Sequence, residues 1–260
     1  MTSRVGCQTK RQVKVEVKVK ERICFSLPLP VSAANEYLNL FPTKGPNQVI
    51  GELKALVFDL DGTLYVNTDF GRVIHLCSCR YIAELKGIGD AEADELIREA
   101  KKRLSVETGR DSTLSHACMA LGGDLMELHR RFAVEIRPER FLSPDERVVR
   151  LLTSLGSKFD LSIYTNNNRR LSKRIMGLIG VTGLFRRVLT IEDSWRPKPD
   201  REALEKVYRA IERKPGECLF VGDRYDIDLR LPAEMGSTVF LATSVEELFP
   251  LEKLLHGEEL

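Results

Sequence analysis

Two carboxylates stand two residues apart in Val57-Phe58-Asp59-Leu60-Asp61-Gly62-Thr63-Leu64. The apolar run Leu56, Val57, Phe58 ahead of them, ended at Gly62, reads as a buried strand that stops at a tight turn. Side chains at i and i+2 of extended backbone point the same way, so Asp59 and Asp61 can converge on one small site. A surface turn also favours Asp and Gly. It does not explain acids directly after an apolar strand, in a chain that repeats the arrangement. Leu161-Ser162-Ile163-Tyr164 runs into Thr165-Asn166, and Cys218-Leu219-Phe220-Val221 runs through Gly222 into Asp223. Grouped carboxylates are hard oxygen donors of the kind magnesium takes. With a reference pKa of about 3.9 they are also ionised at neutral pH, and so nucleophilic without a base.

The elements that must position these groups alternate. A first strand covers residues 54–60. From Asp69 to about Ile136 the pattern is helical: Ile74, Cys77, Tyr81 and Leu85 share one face, and Ala93, Leu96, Ile97, Ala100 and Leu104 share another. Two more helices follow over 114–121 and 125–136, with Gly87, Gly89, Gly109, Gly122 and Gly123 as the breaks. After Pro138 and Pro144 come a helix over 145–155, a strand over 161–164, a helix over 169–179 and a short strand over 188–190. Helices over 200–212, 229–235 and 245–255 then alternate with strands over 218–221 and 238–241. This order predicts an α/β fold, a doubly wound, Rossmann-like parallel sheet whose ligand site lies beyond the carboxyl ends of its strands. Asp59, Thr165 and Asp223 would all reach that edge. The expected organisation is an appendage over 1–50, an α/β core over 51–66 and 144–260, and an all-helical insertion over 67–143. In the appendage, Val13, Val15, Val17 and Val19 alternate with charged residues like one strand of a hairpin.

The motif Asp-Leu-Asp-Gly-Thr-Leu resembles the first motif of the haloacid dehalogenase superfamily. Three further segments match that family's motifs in order: Ile163-Tyr164-Thr165-Asn166, Lys198 within Arg196-Pro197-Lys198-Pro199-Asp200, and Val221-Gly222-Asp223-Arg224-Tyr225-Asp226-Ile227-Asp228. The resemblance covers about residues 53–245 and implies a core with a helical cap. It implies Asp59 as a nucleophile that forms an aspartyl-phosphate, and Asp61 as general acid and base. Asp61 marks phosphoryl transfer, because the dehalogenase branch lacks this second aspartate. Thr165 and Asn166 would orient phosphate oxygens, and Lys198 would offset the charge of Asp59, Asp223, Asp228 and a phosphate dianion. Mg²⁺ would be held by Asp59, the backbone carbonyl of Asp61, Asp223 and Asp228, with Asp226 the rival for the last position. Arg196 is expected near the site but outside it. The insertion, through Gly109, Thr113, Leu114 and Leu142-Ser143-Pro144-Asp145, is similar to pyrimidine 5′-nucleotidases, as is Tyr65 after Leu64. The implied activity is hydrolysis of a small phosphomonoester, a nucleoside monophosphate among the candidates. A phosphosugar mutase and a non-catalytic regulatory protein on the same fold are the alternatives.

Composition narrows the partners. Charged residues are 30%, hydrophobic ones 43%, and the net charge of +2 gives no case for a polyanion partner, since nucleic-acid binders usually show a concentrated basic face. No apolar run approaches the roughly 20 residues that span a bilayer. A small phosphorylated metabolite is the expected partner, with a homodimer left open and a cytoplasmic setting as the default. The six cysteines (Cys7, Cys24, Cys77, Cys79, Cys118 and Cys218) suggest no disulfide framework. Cys77-Ser78-Cys79, with His75 and His116 nearby in sequence, invites a metal reading. The helical pattern of Ile74, Leu76, Cys77, Tyr81 and Ile82 favours buried thiols that act as small hydrophobes.

Overall fold

Four small or apolar residues, Ala55–Phe58, form β1, and each is at most 1% exposed. A strand buried on both faces belongs in the middle of a parallel sheet, and β1 does lie there. In the computed structural model, which describes residues 52–256, the sheet also contains β2 (Asp160–Tyr164), β3 (Arg187–Leu189), β4 (Cys218–Gly222) and β5 (Thr238–Leu241). The order is β3-β2-β1-β4-β5 and all neighbours are parallel. The expected appendage and its hairpin lie outside the described residues.

Strand periodicity divides the core. Leu56, Phe58, Leu161, Ile163, Leu219 and Val221 face one side, and Ala55, Val57, Tyr164, Cys218 and Phe220 face the other. The first side is covered by α5 (Glu146–Gly156) through Val148, Leu151, Leu152 and Leu155, and by α6 (Arg169–Leu178) through Leu171 and Ile175. The second is covered by α7 (Arg201–Ile211) through Ala203, Leu204, Val207, Tyr208 and Ile211. Each large side chain so buried contributes about 1.5–3 kcal/mol. Asp145, Asn168 and Asp200 cap α5, α6 and α7, each accepting from a backbone N–H in the first turn.

Four α-helices stand between β1 and α5: α1 (Thr68–Lys86), α2 (Asp90–Thr108), α3 (Leu114–Ala120) and α4 (Leu125–Glu135). Asn67, Thr113 and Asp124 cap α1, α3 and α4, and Gly87 and Gly109 end α1 and α2 at φ +67° and +64°. Their apolar stripes, including Phe70, Cys77, Ile97, Cys118 and Leu128, join the core on the α5 and α6 side. The described residues end with α8 (Arg230–Glu234), β5 and α9 (Pro250–His256).

Candidate active site

Register sets the geometry. Phe58 lies opposite Ile163 on one side and Val221 on the other, and the N–H of Asp59 still donates to the Val221 carbonyl at 2.8 Å. Thr165 likewise donates its N–H to Leu189 at 3.0 Å. Asp59 therefore leaves the sheet within one residue of the level of Thr165 and Asp223, at its carboxyl edge.

Two glycines let the carboxylates close in. Gly62 turns at φ +86°, and a Cβ there would sit 2.4 Å from Asp223 Oδ2. At Gly222, a Cβ would sit 2.5 Å from the Cβ of Asp228. A wide π-helical turn, Tyr225–Leu229, then brings Asp228 inward, where its N–H donates to the Arg224 carbonyl at 2.8 Å. Carboxylate oxygens of Asp59, Asp223 and Asp228 all lie within 4.8 Å of one another.

Lys198 reaches this cluster from the segment after β3. Its Nζ donates to Asp59 Oδ1 at 2.6 Å, Asp228 Oδ1 at 2.6 Å and the Tyr164 carbonyl at 2.9 Å, and it is buried. Burial works to lower the Lys198 pKa, and the charges of Asp228 and Asp59 overcome it, so the ammonium form is held firmly. The carboxylates are less at ease. Asp59 is pushed up to about 8, by burial first and then by Asp228, Asp61 and Asp223, against Lys198. Asp223 is pushed up to about 6, again by burial first, with Arg224 opposing. Asp59 Oδ2 and Asp223 Oδ1 are buried with no hydrogen-bond partner. Two oxygens without a hydrogen-bond partner, in an all-oxygen set of three carboxylates whose charge Lys198 and the more distant Arg224 only partly offset, fit a hard divalent cation.

Asp61 is held differently. Oδ2 accepts from Asn167 Nδ2 at 2.6 Å and, more loosely, from the Thr165 hydroxyl at 3.4 Å, while Oδ1 accepts from the Tyr65 hydroxyl. Burial raises its pKa, and the Tyr65 and Asn167 hydrogen bonds pull it back. Asn166, expected to face the phosphate, spends its side-chain oxygen on the backbone N–H of Lys198 at 2.8 Å. Asn167 stands beside Asp61 instead. Asp226 is turned outward: Oδ2 accepts from the Asp111 N–H at 3.0 Å, and Oδ1 pairs with Arg230. Of the two candidates in that turn, Asp228 is the acid in the cluster. Arg196 is outside the site, paired with Asp200 and Glu202.

The helices between β1 and β2 touch the edge around this site. Arg110 pairs with Glu234 at 3.1 Å beside the Asp111–Asp226 contact. Asn168 Nδ2 donates to the His129 carbonyl of α4 at 3.0 Å. The aromatic ring of His129 packs edge-on to Trp195, between β3 and Lys198, at 6.4 Å.

The chain is similar to known proteins. The family model for haloacid dehalogenase-like hydrolases matches residues 53–236. A phosphoglycolate phosphatase of Aquifex aeolicus is 24% identical over 73% of this chain and 84% of its own length. The pyrophosphatase PpaX of Halalkalibacterium halodurans is 26% identical over 66% of this chain and 75% of its own. Among solved structures, a HAD phosphatase from Thermococcus onnurineus has the same fold, with a TM-score of 0.51 and 21% identity over 80% of this chain and all of that one.

Proposed function

The chain belongs to the haloacid dehalogenase-like hydrolase family, and from that premise we propose that it is a divalent-metal-dependent phosphatase of small phosphomonoesters, with Asp59 as nucleophile. One observation carries the reading. Asp59 stands buried at the central strand end with Oδ1 fixed by Lys198 and Oδ2 unpartnered, two residues from an acid held in place by Tyr65, Asn167 and Thr165.

In this reading Oδ2 of Asp59 attacks phosphorus, and the bond from phosphorus to the ester oxygen breaks. Asp61 gives its proton to the departing alkoxide. Asp61 then takes a proton from water, which attacks the phosphorus and frees Asp59 and inorganic phosphate. Such acid-base assistance is typically worth about 10² to 10⁴ in rate. Lys198 and the Thr165 hydroxyl bind phosphoryl oxygens, while Asn166 holds the backbone of Lys198. Asp59, Asp223 and Asp228, with the Asp61 carbonyl, would hold Mg²⁺, which when bound neutralises charge on the phosphoryl group and lowers the pKa of Asp59.

We assign substrate choice to the helical insertion over 67–143, acting as a cap. The core groups address only the phosphoryl group, and remote binding energy can still drive the chemistry. The two relatives named for phosphoglycolate and pyrophosphate support a small anionic substrate. The similarity of the insertion to pyrimidine 5′-nucleotidases adds nucleoside monophosphates to the panel. The test is phosphate release from such a panel, with Mg²⁺ or with excess chelator, by the wild type and Asp59→Asn. Turnover should need the metal and vanish in the folded variant. Hydrolysis by Asp59→Asn at near wild-type rate would show that Asp59 is not the nucleophile.

A further inference from the structure

A second group of metal-binding side chains lies away from the sheet edge, between α1 and α2. His75 and Cys79 are four residues apart on α1, so they share a face one turn apart. Asp94 of α2 lies against both: Oδ1 is 2.6 Å from His75 Nε2 and 4.0 Å from Cys79 Sγ. An imidazole nitrogen, a thiol sulfur and a carboxylate oxygen thus come within 4.8 Å of one another.

A His–Asp ion pair alone explains two of these residues. It does not explain why a thiol 1% exposed shares the same carboxylate oxygen. Nor does it use the division of labour on Asp94, where Arg98 takes the other oxygen at 3.2 Å and leaves Oδ1 turned to His75 and Cys79. A ligating carboxylate held from behind in this way is a common outer support of metal centres. His75 and Asp94 are about one-third exposed, at 35% and 37%, so an ion and a completing water can arrive from solvent while Cys79 closes the inner side. Bonds of about 2.0–2.3 Å in tetrahedral geometry put neighbouring ligands roughly 3.3–3.8 Å apart. The observed 2.6 and 4.0 Å bracket that range, and rotamer adjustment closes the difference.

We propose that His75, Cys79 and Asp94 bind one transition-metal ion of the zinc class, which fastens α1 to α2. Cys77 and Cys79 are both buried in the core, as expected; the Cys77 thiol faces Glu135 at 3.6 Å, and the Cys79 thiol is the one that faces Asp94. The mixed nitrogen, sulfur and oxygen donors select borderline metals over magnesium, so magnesium would not displace an ion from this site.

Cobalt(II) is the probe, titrated into the chelator-treated full chain. One equivalent should raise a near-ultraviolet thiolate-to-cobalt band and intense visible bands, both removed by zinc and unaffected by magnesium. Cys79→Ser should lose the near-ultraviolet band, Asp94→Asn should weaken binding by about tenfold or more, and Cys77→Ser should change neither. Cobalt at Asp59, Asp223 and Asp228 would give no thiolate band, so failure here leaves the proposed hydrolysis intact, and the reverse. A wild type without the band, or a band that persists in Cys79→Ser, would overturn the proposal. If Cys79→Ser does not fold, the substitution Asp94→Asn, at a side chain about one-third exposed, decides: cobalt affinity equal to wild type overturns it.

Discussion

Replacing Gly62 by alanine tests whether the site depends on how closely Asp223 lies over the first turn. The added Cβ would lie 2.4 Å from Asp223 Oδ2 and 2.7 Å from its Cγ. Ordinary contact needs roughly another 1 Å, and the backbone at φ +86° cannot rotate away without breaking the turn. Two effects follow, of different size. A left-handed conformation costs an L-residue about 1–2 kcal/mol, which lowers Tm by about 2–8 °C in a chain of this length. Moving a carboxylate of the site by about 1 Å costs on the order of 10² in rate. Gly183 separates them, since it has the same φ of +86° with nothing within 4 Å of a built Cβ. Gly183→Ala should show the loss of Tm and keep wild-type kcat/KM. Gly62→Ala should show both losses, with a weaker apparent affinity for magnesium. Equal activity in the two variants, measured by phosphate release beside thermal melts, would mean that the position of Asp223 does not matter to catalysis.

Tyr65→Phe removes one of the hydrogen bonds that orient Asp61. Such a bond to a charged group is worth about 1.5–3 kcal/mol, so kcat should fall by about tenfold or more with KM little changed; an unaltered kcat would place Tyr65 outside the acid-base step. His129 gives a pH-dependent stability. Burial lowers its pKa to about 4 from the ordinary 6.5, so the folded chain keeps it neutral while the unfolded chain takes up a proton as the pH falls. Its contribution is full above pH 6.5 and declines towards pH 4, by about 3 kcal/mol in total. His129→Phe should therefore lose less stability than the wild type between pH 6.5 and 4 in denaturant titrations. Parallel curves would show that His129 is protonated as readily in the fold as out of it.

The strands, and the acids that end them, were readable because parallel sheets write themselves as apolar runs. Asp59, Asp61, Asp223 and Lys198 each follow such a run or fall in a motif with a charge to balance. Three consecutive asparagines, Asn166, Asn167 and Asn168, defeated that reasoning. All three are polar and none is periodic, and the backbone after β2 alone decides that one holds Lys198, one holds Asp61 and one caps α6. Asp226 and Asp228 were ambiguous because a π-helical turn follows no familiar period. Gly222 was the available signal, since a glycine at a strand end marks a close approach, and the Cβ of Asp228 fills the space it leaves. Between α1 and α2, a metal reading of Cys77, Cys79 and His75 arises from the sequence and is set aside without Asp94, for another reason. His75 and Cys79 are near in sequence, but Asp94 joins them only when two helices pack.

The fixed register of the strand ends limits how this chain can change length. Side chains alternate along a strand, so one residue added or removed within Ala55–Phe58 would exchange the two core faces and carry Asp59 away from Lys198. The same holds for Cys218–Gly222. Segments at the opposite edge carry no such constraint: residues 157–159 enter β2 and residues 212–217 lead into β4, both far from the carboxylates along the strand axis. Insertions and deletions should therefore accumulate at the amino edge of the sheet and be absent at its carboxyl edge. The molecule has a reading frame in space, kept by hydrogen-bond register, and a frameshift in it would silence the site while sparing every residue that builds it.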